Sequence, residues 1–125
     1  MKKLNVLLVE DDLVVQRVHE HMLTKLGCTV DIVATGKAAF EKVDNDASYH
    51  VIFVDIGLPD ISGFDVIRQL NLLNKKNLTN TSIVALTGFA GEEEKQACFN
   101  AGVEQVLHKP IVNSAMREFL SHYKC

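Results

Sequence analysis

The chain has 125 residues, 47% of them hydrophobic and 23% charged, which gives one domain with a real core and excludes intrinsic disorder. Thirteen basic against sixteen acidic residues leave a net charge of −3 with no dense Lys/Arg patch, which argues against direct nucleic-acid binding. No apolar run approaches the roughly 20 residues that span a bilayer, and the N-terminus lacks a signal-peptide pattern. Three scattered cysteines, Cys28, Cys98 and Cys125, suit neither a disulfide scaffold nor a zinc site. They predict reduced thiols in a cytoplasmic protein, with Cys28 and Cys98 as small core residues.

In chain order, an apolar run at residues 4–9 predicts a first strand, which ends in Glu10-Asp11-Asp12. Val14, Val18, Met22 and Leu26 then step by four along a first helix, stopped at Gly27. The run 29–34 predicts a second strand, and Ala39, Phe40 and Val43 mark a second helix. The run 51–56 is a third strand that delivers Asp55. Ser62, with Asp65 three residues on, reads as a capping box opening a third helix, continued by Phe64, Ile67 and Leu70. The Asn-rich stretch 71–80 reads as its fraying end and a loop. The run 83–86 is a fourth strand ending in Thr87, and Glu92, Glu93 and Glu94 open a fourth helix that Gly102 closes. The run 103–107 is a fifth strand ending in Lys109-Pro110, and Met116, Phe119, Leu120 and Tyr123 stripe a last helix.

Runs this continuous in Val, Ile and Leu suit parallel strands covered on both faces. The order is strand–helix five times over, and right-handed crossovers put helices on both sides of the sheet. The expectation is a doubly wound α/β fold with a five-stranded parallel sheet, one domain over residues 1–125. In such folds the ligand site lies beyond the carboxyl ends of the strands. Four strands deliver Glu10, Asp11, Asp12, Asp55, Thr87 and Lys109 to that edge. Clustered carboxylates repel unless a cation intervenes, and a hard, oxygen-ligated cation such as Mg²⁺ is the natural partner. A metal, a lysine and a hydroxyl donor suit a phosphoryl group, and Asp55 could be its nucleophile. Taken singly the residues are bland: Asp11 or Asp12 as a helix cap, Thr87 as a turn residue, Lys109 as a solvated cation. Their joint placement favours a site.

At these residues the chain resembles the receiver domains of two-component response regulators. The residues that carry the resemblance are Glu10-Asp11, Asp55 followed by Leu58-Pro59 and Gly63, Thr87, and Lys109-Pro110. The resemblance covers essentially the whole chain. It implies the flavodoxin-like strand order 2-1-3-4-5 and Asp55 as acceptor of a phosphoryl group from a phosphohistidine. Mg²⁺ is then held directly by Asp11, Asp55 and the Gly57 carbonyl, with Glu10 acting through a metal-bound water. Thr87 donates its hydroxyl to the phosphoryl group, Lys109 pairs with a phosphoryl oxygen, and the Lys109–Pro110 bond is cis. Asp12 is left as a helix cap. The implied partner is a sensor histidine kinase or a histidine phosphotransfer domain, with no nucleic acid or membrane bound by this domain. The oligomeric state stays open between a monomer and a phosphorylation-dependent dimer.

Two departures stand out. Val106 replaces the aromatic residue usual three positions before the lysine, so activation is not expected to turn on an aromatic rotamer. Gly57 and Phe89 occupy the positions two after Asp55 and Thr87 that in this family orient or block water, so slow self-dephosphorylation is expected. Gly88 is the usual small residue after the threonine. His19, His21, His50, His108 and His122 are scattered, and none is read as a metal ligand or phosphodonor. The segments 30–39 and 55–60 look most like receivers of hybrid sensor kinases. The alternatives are a haloacid-dehalogenase-like phosphohydrolase, which would want a second Asp where Gly57 stands, and a flavodoxin-like flavin binder, whose phosphate three acids after the first strand would repel.

Overall fold

The computed structural model describes residues 4–45, 49–77, 80–88 and 91–122. Its elements are β1 (Asn5–Val9), α1 (Leu13–Lys25), β2 (Thr29–Val33), α2 (Gly36–Asn45), β3 (Val51–Asp55), α3 (Gly63–Asn77), β4 (Ser82–Thr87), α4 (Glu92–Ala101), β5 (Gln105–His108) and α5 (Asn113–Ser121). All five strands pair in parallel in the order β2-β1-β3-β4-β5. The expected architecture and strand order are both present.

Side chains alternate across a strand, and here the alternation sorts the core into two layers. Leu7, Val9, Ile52, Val54, Ile83 and Ala85 pack with Ala39 of α2, Val66, Ile67 and Leu70 of α3, and Cys98 of α4. Val6, Leu8, Val51, Phe53, Val84 and Leu86 pack with Leu23 of α1 and with Met116, Phe119 and Leu120 of α5. The rings of Phe53 and Phe119 meet edge to face at 5.8 Å. Burial on both faces accounts for the continuous apolar runs of the central strands β1, β3 and β4. Cys28 and Cys98 are buried core residues, as expected.

Three elements differ in detail from the sequence expectation. Along α1, Val14, Val18 and Leu26 are exposed, while the helix buries His19 and Leu23. The step-by-four pattern marks a helix, but its inward face is the neighbouring one. The third helix does not fray at residue 71 but continues to Asn77. Asn71 Nδ2 donates to the carbonyls of Ala101 (3.2 Å) and Gly102 (3.0 Å) at the end of α4, and Asn74 Nδ2 donates to that of Thr81 (2.9 Å). Ser62 sits just before α3, with the Val66 N–H on its carbonyl (3.0 Å), but Asp65 turns outward to Arg68 instead of completing a capping box. The fifth strand starts two residues later than expected, at Gln105. Gly102 ends α4 at φ +110°, a left-handed conformation that glycine adopts freely. Tyr123, expected on α5, lies outside the described residues.

Candidate phosphoacceptor site

Reversal of strand order between β1 and β3 opens the crevice where doubly wound folds bind ligands. Asp12 caps α1, accepting from the N–H groups of Val14 (2.9 Å) and Val15 (3.1 Å), as anticipated. That cap holds the turn after β1. Glu10 is locked within it: its carboxylate accepts from the Asp12 N–H (3.1 Å), and its carbonyl accepts from Gln16 Nε2 (2.6 Å). Glu10 is fully buried, Asp11 is exposed, and Asp55, at the end of β3, is 2% exposed. One carboxylate oxygen from each of Glu10, Asp11 and Asp55 lies within 4.8 Å of the others.

From the far side, Lys109 Nζ reaches Asp55 Oδ1 at 3.1 Å and Glu10 Oε1 at 3.3 Å. The Lys109 N–H donates to the Thr87 carbonyl (2.8 Å), which fixes the lysine at the strand end. The Lys109–Pro110 bond is cis. Asp55 Oδ1 also accepts from the Gly57 N–H (3.0 Å).

The electrostatics follow from burial and crowding. Burial, together with the neighbouring Asp55, pushes the Glu10 carboxyl up to about 7. Burial also works to raise Asp55, but the Gly57 N–H, the Glu10 side chain and the Lys109 ammonium outweigh it and hold that carboxyl below its ordinary value. Burial disfavours the charge on Lys109, yet Asp55 and Glu10 more than offset this and keep its pKa above the ordinary value. With Lys109 offsetting Asp55, the exposed Asp11 carboxylate and the partly ionised Glu10 leave an excess of negative charge. An all-oxygen donor set of that kind fits a hard divalent cation such as Mg²⁺.

Thr87 comes to the same edge, 2% exposed, but its hydroxyl donates to the carboxylate of Glu94 in the first turn of α4. Gly88 is exposed, and among the described residues a Cβ built on it would meet nothing within 4 Å. The β3–α3 loop is held from two sides. Gly63 packs so closely on Ile56 that a Cβ there would lie 2.4 Å from the Ile56 Cα. Asp60 accepts from the N–H groups of Gly36 (2.9 Å) and Lys37 (3.1 Å) at the start of α2. Val106 is half-buried against the layer that includes α3 and α4. Phe89 lies outside the described residues. His108 is exposed.

The sequence reading missed Gln16, Asp60, Glu94 and His19. Glu94 carried a signal, lying seven residues after Thr87 on the helix that follows the strand end. Asp60 and His19 find partners 24 and 92 residues away, which no local pattern reveals.

Residues 6–121 match the model of the response regulator receiver domain. The chain belongs to that family. It is 38% identical over 120 residues to the aerobic respiration control sensor protein ArcB of Escherichia coli, covering 96% of this chain and 15% of that protein. Among solved structures, it resembles the receiver domain of the Pseudomonas aeruginosa sensor histidine kinase PA1611, which carries a magnesium ion in its active-site cleft. The TM-score is 0.85 at 30% identity, with 98% of each chain covered. It also resembles the Saccharomyces cerevisiae complex of the histidine phosphotransfer protein Ypd1 with the receiver domain of Ssk1. There the TM-score is 0.88 at 27% identity, covering 98% of this chain and 90% of that one. The chain spans 7–15% of the length of the first curated relatives it matches. This is a receiver domain of phosphorelay signalling, and the phosphohydrolase alternative finds no support among these relatives. Among the described residues, no helix is long and apolar enough to cross a membrane.

Proposed function

We propose that Asp55 is the phosphoacceptor of this receiver. The observation that carries the reading is the Glu10–Asp11–Asp55 carboxylate cluster with Lys109 Nζ 3.1 Å from Asp55. Asp11, Asp55 and the Gly57 carbonyl would hold Mg²⁺, with Glu10 acting through a bound water. The ion supplies charge neutralisation for the incoming phosphoryl oxygens.

An Asp55 carboxylate oxygen attacks phosphorus while the bond to the donor imidazole nitrogen breaks, and that nitrogen keeps the bonding electron pair. Its low Asp55 pKa keeps the nucleophile ionised at neutral pH. Lys109, already in the site, pairs with a phosphoryl oxygen, as preorganised charge does at a reacting centre. Thr87 gives its hydroxyl to another phosphoryl oxygen after leaving Glu94. The partner is a sensor histidine kinase or a histidine phosphotransfer domain in the cytoplasm. The chain is an acceptor, with at most self-catalysed transfer and dephosphorylation. Gly57 brings no side chain to hold a hydrolytic water, which supports slow loss of the phosphate.

The test uses a phosphotransfer protein radiolabelled on histidine. Label should pass to this chain in the presence of Mg²⁺ and fail to pass to Asp55→Asn. Label on the Asp55→Asn protein would overturn the assignment. A Mg²⁺ titration should weaken more with Asp11→Ala than with Asp12→Ala, and the reverse order would place the acidic ligand one residue later.

A further inference from the structure

We propose that His19 of α1 is a positioning residue for Lys109, acting through the backbone of the segment that carries it. The inference rests on the reading of Asp55 as phosphoacceptor. His19 is fully buried on α1. Its Nε2 accepts the N–H of Ile111 at 2.9 Å. Ile111 is itself 2% exposed, so water cannot replace that acceptor, and a buried N–H demands a partner.

The segment Lys109-Pro110-Ile111 has two backbone donors, because proline has none. The Lys109 N–H is held by the Thr87 carbonyl, and the Ile111 N–H is held by His19. The lysine is therefore clamped on its two sides, by β4 and by α1. The imidazole must be neutral to accept at Nε2. Burial and the nearby Lys109 charge lower its pKa to about 4, which secures that form at neutral pH. Nδ1 then carries the proton and, among the described residues, meets no partner. Among the described residues, the ring's polar contact is the bond to Ile111.

Placement of the ammonium against Asp55 and Glu10 depends on this clamp. Misplacing a group at a reacting centre by about 1 Å can cost up to a hundredfold in rate.

The experiment measures the rate of Asp55 phosphorylation by acetyl phosphate with Mg²⁺, by intact mass, in five proteins: wild type, His19→Leu, His19→Gln, Lys109→Ala and His19→Leu/Lys109→Ala. Leucine keeps the bulk and loses the acceptor, while glutamine restores an acceptor oxygen. His19→Leu should lose about tenfold in rate, and His19→Gln should stay within about threefold of wild type. In the Lys109→Ala background, His19→Leu should cost nothing further. If His19→Leu does not fold, His19→Asn, whose acceptor falls short of Ile111, replaces it with the same expectations. A folded His19→Leu that labels at the wild-type rate would overturn the proposal. So would an undiminished further loss in the Lys109→Ala background, or failure of folded His19→Gln to recover the rate. An unlabelled wild type would instead overturn the Asp55 reading.

Discussion

At the residue scale, the site is a set of polar groups whose partners are already chosen. Thr87 shows this most directly. Its hydroxyl donates to Glu94, so on the proposed phosphoacceptor reading a phosphoryl group must win that hydrogen from a carboxylate. A ligand shifts an equilibrium by its differential affinity for the two states. Removing the competitor should therefore favour the engaged form. A hydrogen bond to a charged group is worth about 1.5 kcal/mol or more, so Glu94→Ala is expected to tighten beryllofluoride binding by roughly tenfold. Calorimetry would show it, and unchanged or weaker binding would contradict the latch. His19 gives a second prediction. Its pKa is about 4 in the folded chain against an ordinary 6.5, so between those values the unfolded chain binds the extra proton. Stability then rises as pH climbs from about 4 to 6.5 and is lost on acidification. The component is on the order of 3 kcal/mol. Urea melts of wild type and His19→Gln should agree near pH 7 and diverge as pH falls through that range, wild type losing stability that the variant keeps; parallel profiles would refute the burial argument.

At the scale of elements, the β3–α3 loop is a tightly held connection beside the site. Gly63 touches the backbone of Ile56, and its N–H donates to the Ile56 carbonyl at 3.2 Å. A methyl group there must push backbone aside. Gly63→Ala is expected to cost about 2–3 kcal/mol, in the range of overpacking. It should also slow phosphorylation, because the loop bears Gly57; an unchanged urea midpoint would contradict this. The elements also show what a sequence reveals. The three central strands, β1, β3 and β4, were legible because burial on both faces writes an unbroken apolar run. The carboxylate cluster and Lys109 were legible because parallel topology sends every strand end to one edge. The inward face of α1 was not. Val14 and Val18 look like core residues but are exposed, while His19, polar by type, is buried. Its burial depends on an N–H donor 92 residues away. The length of α3 was hidden likewise, since Asn71 and Asn74 read as loop formers until their carbonyl partners at the end of α4 and before β4 are seen.

At the scale of the whole molecule, the two layers on opposite faces of the sheet give the buried site a tie to each. α1 and α5 share one layer, and α2, α3 and α4 share the other. Lys109 is tied to the first through His19, and Thr87 to the second through Glu94. A phosphoryl group on Asp55 would engage both ties at once. Because Val106 brings no ring to swing, the response should be carried by backbone and helix movement. Amide exchange with and without beryllofluoride should change across α4, and an unaltered α4 would argue against that route. All of this depends on Asp55. The most direct measurement is intact mass after incubation with acetyl phosphate, with Mg²⁺ and with a chelator, for wild type and Asp55→Asn. The account predicts one added phosphate on wild type in Mg²⁺ and none in the other three samples. A phosphate on Asp55→Asn, or labelling of wild type that is indifferent to Mg²⁺, would contradict it.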